Sequence, residues 1–465
     1  MAEVENVCYA ASSPRAALAW TTLAFFMGFA GVSAFGPVLP KLRQAMDAGP
    51  FLMGLLAASP SLTGSLLRIP FGAMVDRFGG KRLILTLLLL AAAGVAGIML
   101  LFSLGGPLEL SHYPLFMLFA MLCGCGIAVF SVGVPAVSYW YPQRQQGTAL
   151  ALYGGLGNLA PGAFALLLPY LVTTFGFTTS YVLWLAVLLA MTVLIMLRMK
   201  DAPYFQYKEM GMAIDPDALL LACGQELVPT GKAMDSIRRA GADWRTWVLT
   251  YFYFITFGGF IALTVWLPTY WTERFSTSLL QAGLLTAVFS LSASLLRVAG
   301  GMASDRLGGE TVAVMSLGTV GLGALVMAQV ESSLAAAVVA EIILALGMGF
   351  GNAAVFKLAP KFTPHAVGGA AGIIGGLGAF GGFAIPPVMG LIVRWKGPDG
   401  YALDADVPAL AERHLVAHVL VGARGVASAT GHGDGPGGEE RPQGARSKDP
   451  EYAEHGALAL LHFEP

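Results

Sequence analysis

The chain is a succession of apolar runs, each near the length that crosses a lipid bilayer. A hydrocarbon core of ~30 Å needs about 20 helical residues. Eleven runs of that order stand at 17–39, 50–75, 83–104, 114–137, 148–172, 180–197, 246–270, 279–304, 311–330, 333–356 and 366–393. The residues are 56% hydrophobic and only 12% charged, where soluble domains carry about 25%. Mean hydropathy is +0.69. Inside a bilayer the backbone must satisfy its own hydrogen bonds, so such runs become helices. The expectation is an all-α membrane protein. No separate signal peptide is read ahead of the first run, and Arg15 stands just before it.

The net charge of −1 says little about partners, but the placement of charge says more. With the N-terminus in the cytoplasm, 15 Lys and Arg fall on the inner side and 5 on the outer side. The positive-inside rule therefore supports a cytoplasmic N-terminus. Cys8, Cys123, Cys125 and Cys223 show neither metal-ligand spacing nor a disulfide framework. Cys123 and Cys125, two apart in the fourth run, read as packing residues. No cofactor, metal or nucleic-acid partner is expected.

The chain repeats itself. Residues 61–80, SLTGSLLRIPFGAMVDRFGG, align without a gap to 290–309, SLSASLLRVAGGMASDRLGG, with 11 of 20 positions identical. Arg68 falls on Arg297. A second pair joins GGLGNLAPG from Gly154 to GGLGAFGGF from Gly375. Paired features in two halves are a transporter architecture. The domains are then 1–197, a first six-helix half; 198–245, a polar cytoplasmic linker; 246–403, a second half with helices seven to eleven; and 404–465, an atypical tail. The tail holds five of the seven histidines and the polar stretch GHGDGPGGEERPQGARSKDPE. It stands where a twelfth helix belongs, and only 414–429 is remotely apolar. It reads either as a soluble tail or as sequence that has lost its reading frame near residue 412. Re-sequencing around codons 405–420 separates the two.

Arg68 and Arg297 are the chemically demanding residues. A guanidinium keeps its proton in a protein, and at bilayer depth it costs at least ~2.5–3.5 kcal/mol. Each arginine lies eight residues before the matching aspartate, Asp76 or Asp305, which puts it ~12 Å above the helix end, near the bilayer midplane. Two such cations in symmetry-related helices face one another and need a counter-charge. No Asp or Glu lies in the membrane-central part of a run. Glu341, near the outer start of the tenth, is the nearest and stands off-centre. A small oxyanion substrate then supplies the missing charge, because a planar fork of donors suits planar oxygens. Read singly, such an arginine could instead snorkel or cap carbonyls. Gly154, Gly155, Gly157 and Gly162, with Gly375, Gly376, Gly378, Gly381 and Gly382, leave helix faces bare for close packing and sliding. Asp76, Arg77, Asp305 and Arg306 sit at helix ends, where they can latch one conformation.

The motifs resemble a known group. GAMVDRFGGKR at 72–82 and its echo GGMASDRLGG resemble the signature between helices two and three of the major facilitator superfamily. Both glycine motifs and both arginines resemble the nitrate/nitrite porter family within it, over about residues 16–395. The resemblance implies the major facilitator fold, two pseudo-symmetric six-helix halves. It implies nitrate and nitrite as substrates, bound by Arg68, Arg297 and Asn158. It also implies a Tyr donor at Tyr253 with walls from Phe257 and Phe130. Where the family can carry a hydroxyl in helix eleven, this chain has Gly375 and Gly376, which leaves a direct contact from that helix open. Lys357 reads as an ordinary inner-side lysine that could also attract anions.

The resulting expectation is a multi-pass transporter of the inner (plasma) membrane, a monomer whose partners are lipid and substrate. It exchanges nitrate and nitrite by alternating access. Proton-coupled symport and carriage of an organic anion are the rival transport readings. An enzyme is disfavoured, since His112 and His365 lie in loops and no HExxH or GxSxG stands in a run. A receptor binds without flux, and a flux measurement separates it.

Overall fold

The structure, a computed structural model, describes residues 11–104, 108–212, 216–229, 233–330, 333–363 and 366–396. The tail from 404, its suspected frame loss and any twelfth helix lie outside the described residues.

Apolar length translates directly into helices. Ten runs among the described residues are long and apolar enough to cross a membrane. They include α1 (Pro14–Met46), α2 (Pro50–Phe78), α3 (Gly80–Ser103) and α4 (Leu110–Ser138). The next run, Leu152–Arg198, has 47 residues and would reach ~70 Å if straight. It is folded back at Gly176, where φ is 79°, a region glycine enters at little cost. The rings of Phe164 and Trp184, on either side of that turn, lie 5.0 Å apart. The run is thus two passes, α5 (152–175) and α6 (177–198), and the eleven expected spans are all helical. The second series is α7 (Trp244–Phe275), α8 (Leu279–Leu307), α9 (Gly309–Ala328), α10 (Leu334–Phe362) and α11 (Gly369–Lys396).

Between α6 and α7 the polar stretch forms three short helices, Pro203–Glu209, Pro216–Cys223 and Ala233–Ala242. Asp201 accepts a 2.8 Å hydrogen bond from the Lys81 N–H at the start of α3. The Gly369 N–H at the start of α11 donates to Ser236 Oγ at 3.0 Å. The connector is therefore tied to both series of helices at one end of the molecule, called here the linker end. Cys123 and Cys125 are buried free thiols of α4. Cys223 is disulfide-bonded, which its spacing did not indicate.

At the opposite end the two series press backbone on backbone. A methyl group added at Gly54 of α2 would stand 2.6 Å from the Pro386 carbonyl oxygen of α11. One at Gly390 would stand 2.9 Å from Phe51 Cα, and one at Gly36 of α1 would stand 2.8 Å from Val265 Cα of α7. Arg43 and Glu273 add an ion pair of 3.2 Å across the same seam. This conformation is closed at the end away from the linker.

Candidate functional site

Local irregularities in the helices prepare the site. In α2 the proline at 70 has no N–H for the Leu66 carbonyl, and the helix breaks at Leu67, just before Arg68. In α4 a 3-10 turn, Cys125–Ala128, precedes Phe130. In α7 a π-helical turn spans Phe254–Gly258, an irregularity common at functional sites. Both glycine motifs interrupt their helices at nearly matching places: one segment ends at Gly157 and its counterpart ends at Ala379.

These breaks bring the two arginines to one place. Arg68 Cζ lies 4.9 Å from the centroid of the Phe130 ring and 5.3 Å from that of Phe257. Arg297 Cζ lies 6.0 and 5.8 Å from the same two rings. Two unit charges ~10 Å apart repel by about 1–2 kcal/mol at an effective dielectric of ~20. The ring faces offset part of this, at roughly 0.5–2 kcal/mol per cation–π contact. No carboxylate pairs with either guanidinium among the described residues. Arg68 Nε and Nη2 and Arg297 Nη1 are buried without a hydrogen-bond partner. Donors left unmade at such a site are unusual, and they are what an oxyanion would accept from.

The glycine motifs hold the arginines from the other side. Arg68 Nη1 donates to the Gly375 carbonyl at 2.9 Å, so α11 contacts an arginine through its backbone, although it offers no hydroxyl there. A methyl at Gly154, the counterpart of Gly375, would stand 4.0 Å from Arg297 Cζ and Nη2. At Gly155 it would meet Val298 at 3.2 Å, and at Gly376 it would meet Ile69 at 2.9 Å. Each residue met there directly follows an arginine. Gly157 packs on Phe25, and Gly378 packs on Tyr253, where an added methyl would stand only 2.6 Å from Cδ1. Gly162 packs on Leu291 and Gly382 on Ile261, while Gly381 and Gly258 meet backbone to backbone. Gly155, Gly162 and Gly376 are thus packing positions between the two halves, whereas Gly157, Gly378 and Gly381 pack within one half.

Tyr253 and Phe257 stack with centroids 4.8 Å apart and planes 7° from parallel. The Tyr253 hydroxyl lies close to Arg297 without a hydrogen bond of good geometry. Asn158 is buried, with Oδ1 unpartnered, and its main-chain oxygen accepts from Ser294 Oγ at 2.9 Å. Phe356 of α10, not singled out from the sequence, completes the wall: its centroid is 5.7 Å from Arg297 Cζ and 5.1 Å from the Tyr253 ring. Tyr153 supports Phe130 by donating to its carbonyl at 3.1 Å. An isolated Phe in an apolar helix carries no signal that marks it as lining, so Phe356 was not legible. Arg68 is fully buried and Arg297 is half-buried.

The helix-end charges lie elsewhere. Asp76 accepts from the Tyr139 hydroxyl at 2.6 Å, within the first half. Asp305 pairs with Lys357 at 2.5 Å, within the second. The Arg77 guanidinium lies over the Phe78 ring at 5.1 Å, and Arg306 is exposed. In this conformation these contacts do not join the halves.

A bundle of broken membrane helices in two related series is the architecture of a membrane transporter. The chain belongs to the Major Facilitator Superfamily and, within it, to the nitrate/nitrite porter family; the superfamily matches residues 21–386. It is 31% identical over 356 residues, 76% of this chain and 83% of the relative, to the probable nitrate/nitrite transporter NarK2 of Mycobacterium tuberculosis. It is 30% identical to the probable nitrate/nitrite antiporter NarK1 of Thermus thermophilus, covering 81% of this chain and 85% of the relative. The xylose transporter XylE from E. coli, in a partially occluded inward open conformation, shares the fold. Its TM-score is 0.66 at 13% identity, over 86% of this chain and 98% of that one. The protein is a multi-pass membrane protein of the major facilitator fold.

Proposed function

We propose that the protein carries nitrate and nitrite across the cell inner membrane by exchange, as a monomer with a cytoplasmic N-terminus. The observation that carries this reading is the convergence of Arg68 and Arg297 on Phe130 and Phe257 with guanidinium donors left unpartnered. The names of the relatives, which include nitrate/nitrite transporters and an antiporter, support the substrate. A planar oxyanion bridges two planar forks, and Tyr253 and Asn158 add neutral polar groups at its edge. The phenyl walls disfavour larger, strongly hydrated anions. Exchange follows from charge: two facing cations without an anion resist closure, so the empty carrier returns slowly. Asp76–Arg77 and Asp305–Arg306 would join the halves only when the linker end closes.

The experiment is counterflow of labelled nitrate in proteoliposomes of the full chain at equal pH on both sides. Nitrite trapped inside should speed nitrate entry severalfold over empty vesicles. Equal rates with empty and nitrite-loaded vesicles would rule out obligatory exchange.

A further inference from the structure

Glu341 of α10 is the one carboxylate buried among the described membrane helices without a partner. It is 0% exposed, and neither carboxylate oxygen has a hydrogen bond. The surrounding helices place it on the closed side of the arginine site. Gly349 packs against the Arg297 main chain, where an added methyl would stand 3.3 Å from the nitrogen, and Glu341 precedes Gly349 by eight residues, or ~12 Å along the helix.

Its direction follows from the helical period. Met348 and Asn352, seven and eleven positions on, share its face. Met348 reaches α7 at Gly259 (3.0 Å from a methyl placed there). Asn352 is buried with Oδ1 unpartnered. One turn beyond Asn352 is Phe356, in contact with Arg297. Glu341 therefore belongs to the face of α10 that looks into the transport axis.

The helices packed against α10 bring it no charge. The contacts Gly259–Met348 and Gly351–Thr256 set Trp266 of α7 at its level. Gly323–Leu344 and Gly347–Val320 set Val326 and Met327 of α9 there. Gly300–Phe350 and Gly349–Ala293 set Phe289 and Ser290 of α8 there, with Ser290 Oγ also unpartnered. From the first half, Gly54 of α2 comes against Trp266 and Gly36 of α1 against Val265. Tyr270 is the only titratable group on these turns, and its hydroxyl donates to Met327 Sδ at 3.2 Å. Lys41, Arg43, Glu273 and Arg274 stand beyond, nearer the opposite-end surface.

An ionised carboxylate in such a place has neither water nor a counter-ion, and burying it is heavily unfavourable. The neutral acid lacks that penalty. We propose that Glu341 is a proton-binding site, loaded when the end away from the linker opens and sealed with its proton in the conformation described here. A proton from water on that side bonds to one carboxylate oxygen, and it leaves toward the arginine cavity and the water of the linker end. The carboxyl begins and finishes each cycle in the same state. Resting on the anion-site reading, this gives one carrier two modes: exchange at equal pH, and proton-driven nitrate uptake under a gradient.

The test is Glu341→Gln in the full chain. Counterflow at equal pH should stay within about twofold of the unmodified protein, while uptake driven by external acid should fall at least tenfold, to the level without a gradient. Glu341→Asp should restore part of it. Acid-driven uptake unchanged in E341Q, or absent from the unmodified protein while counterflow is intact, overturns the proposal. Absence of counterflow itself strikes the anion-site reading instead. Independently of transport, infrared spectra of the solubilised chain at neutral pH should show a protonated-carboxyl band that E341Q lacks and E341D shifts. Identical spectra for all three overturn the proposal whatever the transport result.

Discussion

Arg68 Nη1 donates to the carbonyl of Gly375, 307 residues away in the chain, at 2.9 Å. Gly375 is the repeat counterpart of Gly154, which stands bare beside the Arg297 guanidinium. The two arginines are thus held by equivalent glycines of opposite halves, one through a hydrogen bond and one through open space. Any rocking of the halves moves each arginine against the glycine motif that faces it.

Replacing either arginine by lysine keeps the charge and loses the fork. Arg68→Lys and Arg297→Lys should each lower nitrate counterflow at least tenfold, with unchanged elution of the purified protein. Near-normal flux in either variant would show that bidentate contact is not needed.

Glycine packing predicts contrasting alanine variants in one helix. At Gly378 a methyl meets Tyr253 at 2.6 Å (Cδ1) and 2.8 Å (Cβ), whereas at Gly372 nothing lies within 4 Å. Gly378→Ala should cost about 1–3 kcal/mol through overpacking. Gly372→Ala should be neutral or slightly stabilising, by up to about 1 kcal/mol. Thermal unfolding in detergent distinguishes them, and an equal loss in both variants would refute the packing account.

The Arg43–Glu273 pair crosses the closed seam with both side chains partly exposed, so it contributes less than about 1 kcal/mol. Glu273→Gln should loosen that seam without unfolding the protein. A cysteine placed at Met53, buried in α2 next to the seam glycine Gly54, should then react up to about fivefold faster with a soluble thiol reagent. An unchanged rate would mean that the apolar contacts alone keep this end shut.

Asp201 gives a pH dependence outside the membrane. Burial holds its carboxyl above the usual carboxylate range, against the opposing pull of the Lys81 and Gly80 N–H groups. A folded-state value above the unfolded one means the native state binds the proton more tightly, so this group's contribution to stability falls as pH rises through that window. Asp201→Asn removes the buried charge. Its melting temperature should exceed that of the unmodified protein at pH 7, and the gain should vanish as pH approaches the model-peptide range near ~4. A pH-independent difference would mean that the charge is not what is felt.

The sequence by itself determined the membrane class, the eleven passes, the doubled design and the arginine pair. These rest on local or strictly additive physics. Apolar length sets a span wherever it occurs, and a guanidinium at bilayer depth is costly in any fold, so Arg68 and Arg297 stood out without knowledge of their neighbours. The glycine motifs were legible as bare faces for the same reason. What met those faces was decided only by tertiary packing. Gly375 offers its carbonyl to Arg68 because the break in α2 and the interruption of α11 come to the same depth. Phe356 joins the wall because α10 is rotated by its contacts at Gly349 and Gly351, which no periodicity in α10 announces. Glu341 looked off-centre along the chain, and it remains so in depth. Its complete burial is a property of α7, α8 and α9 closing around it, since exposure depends on which helices lie alongside and not on where a residue falls within its own.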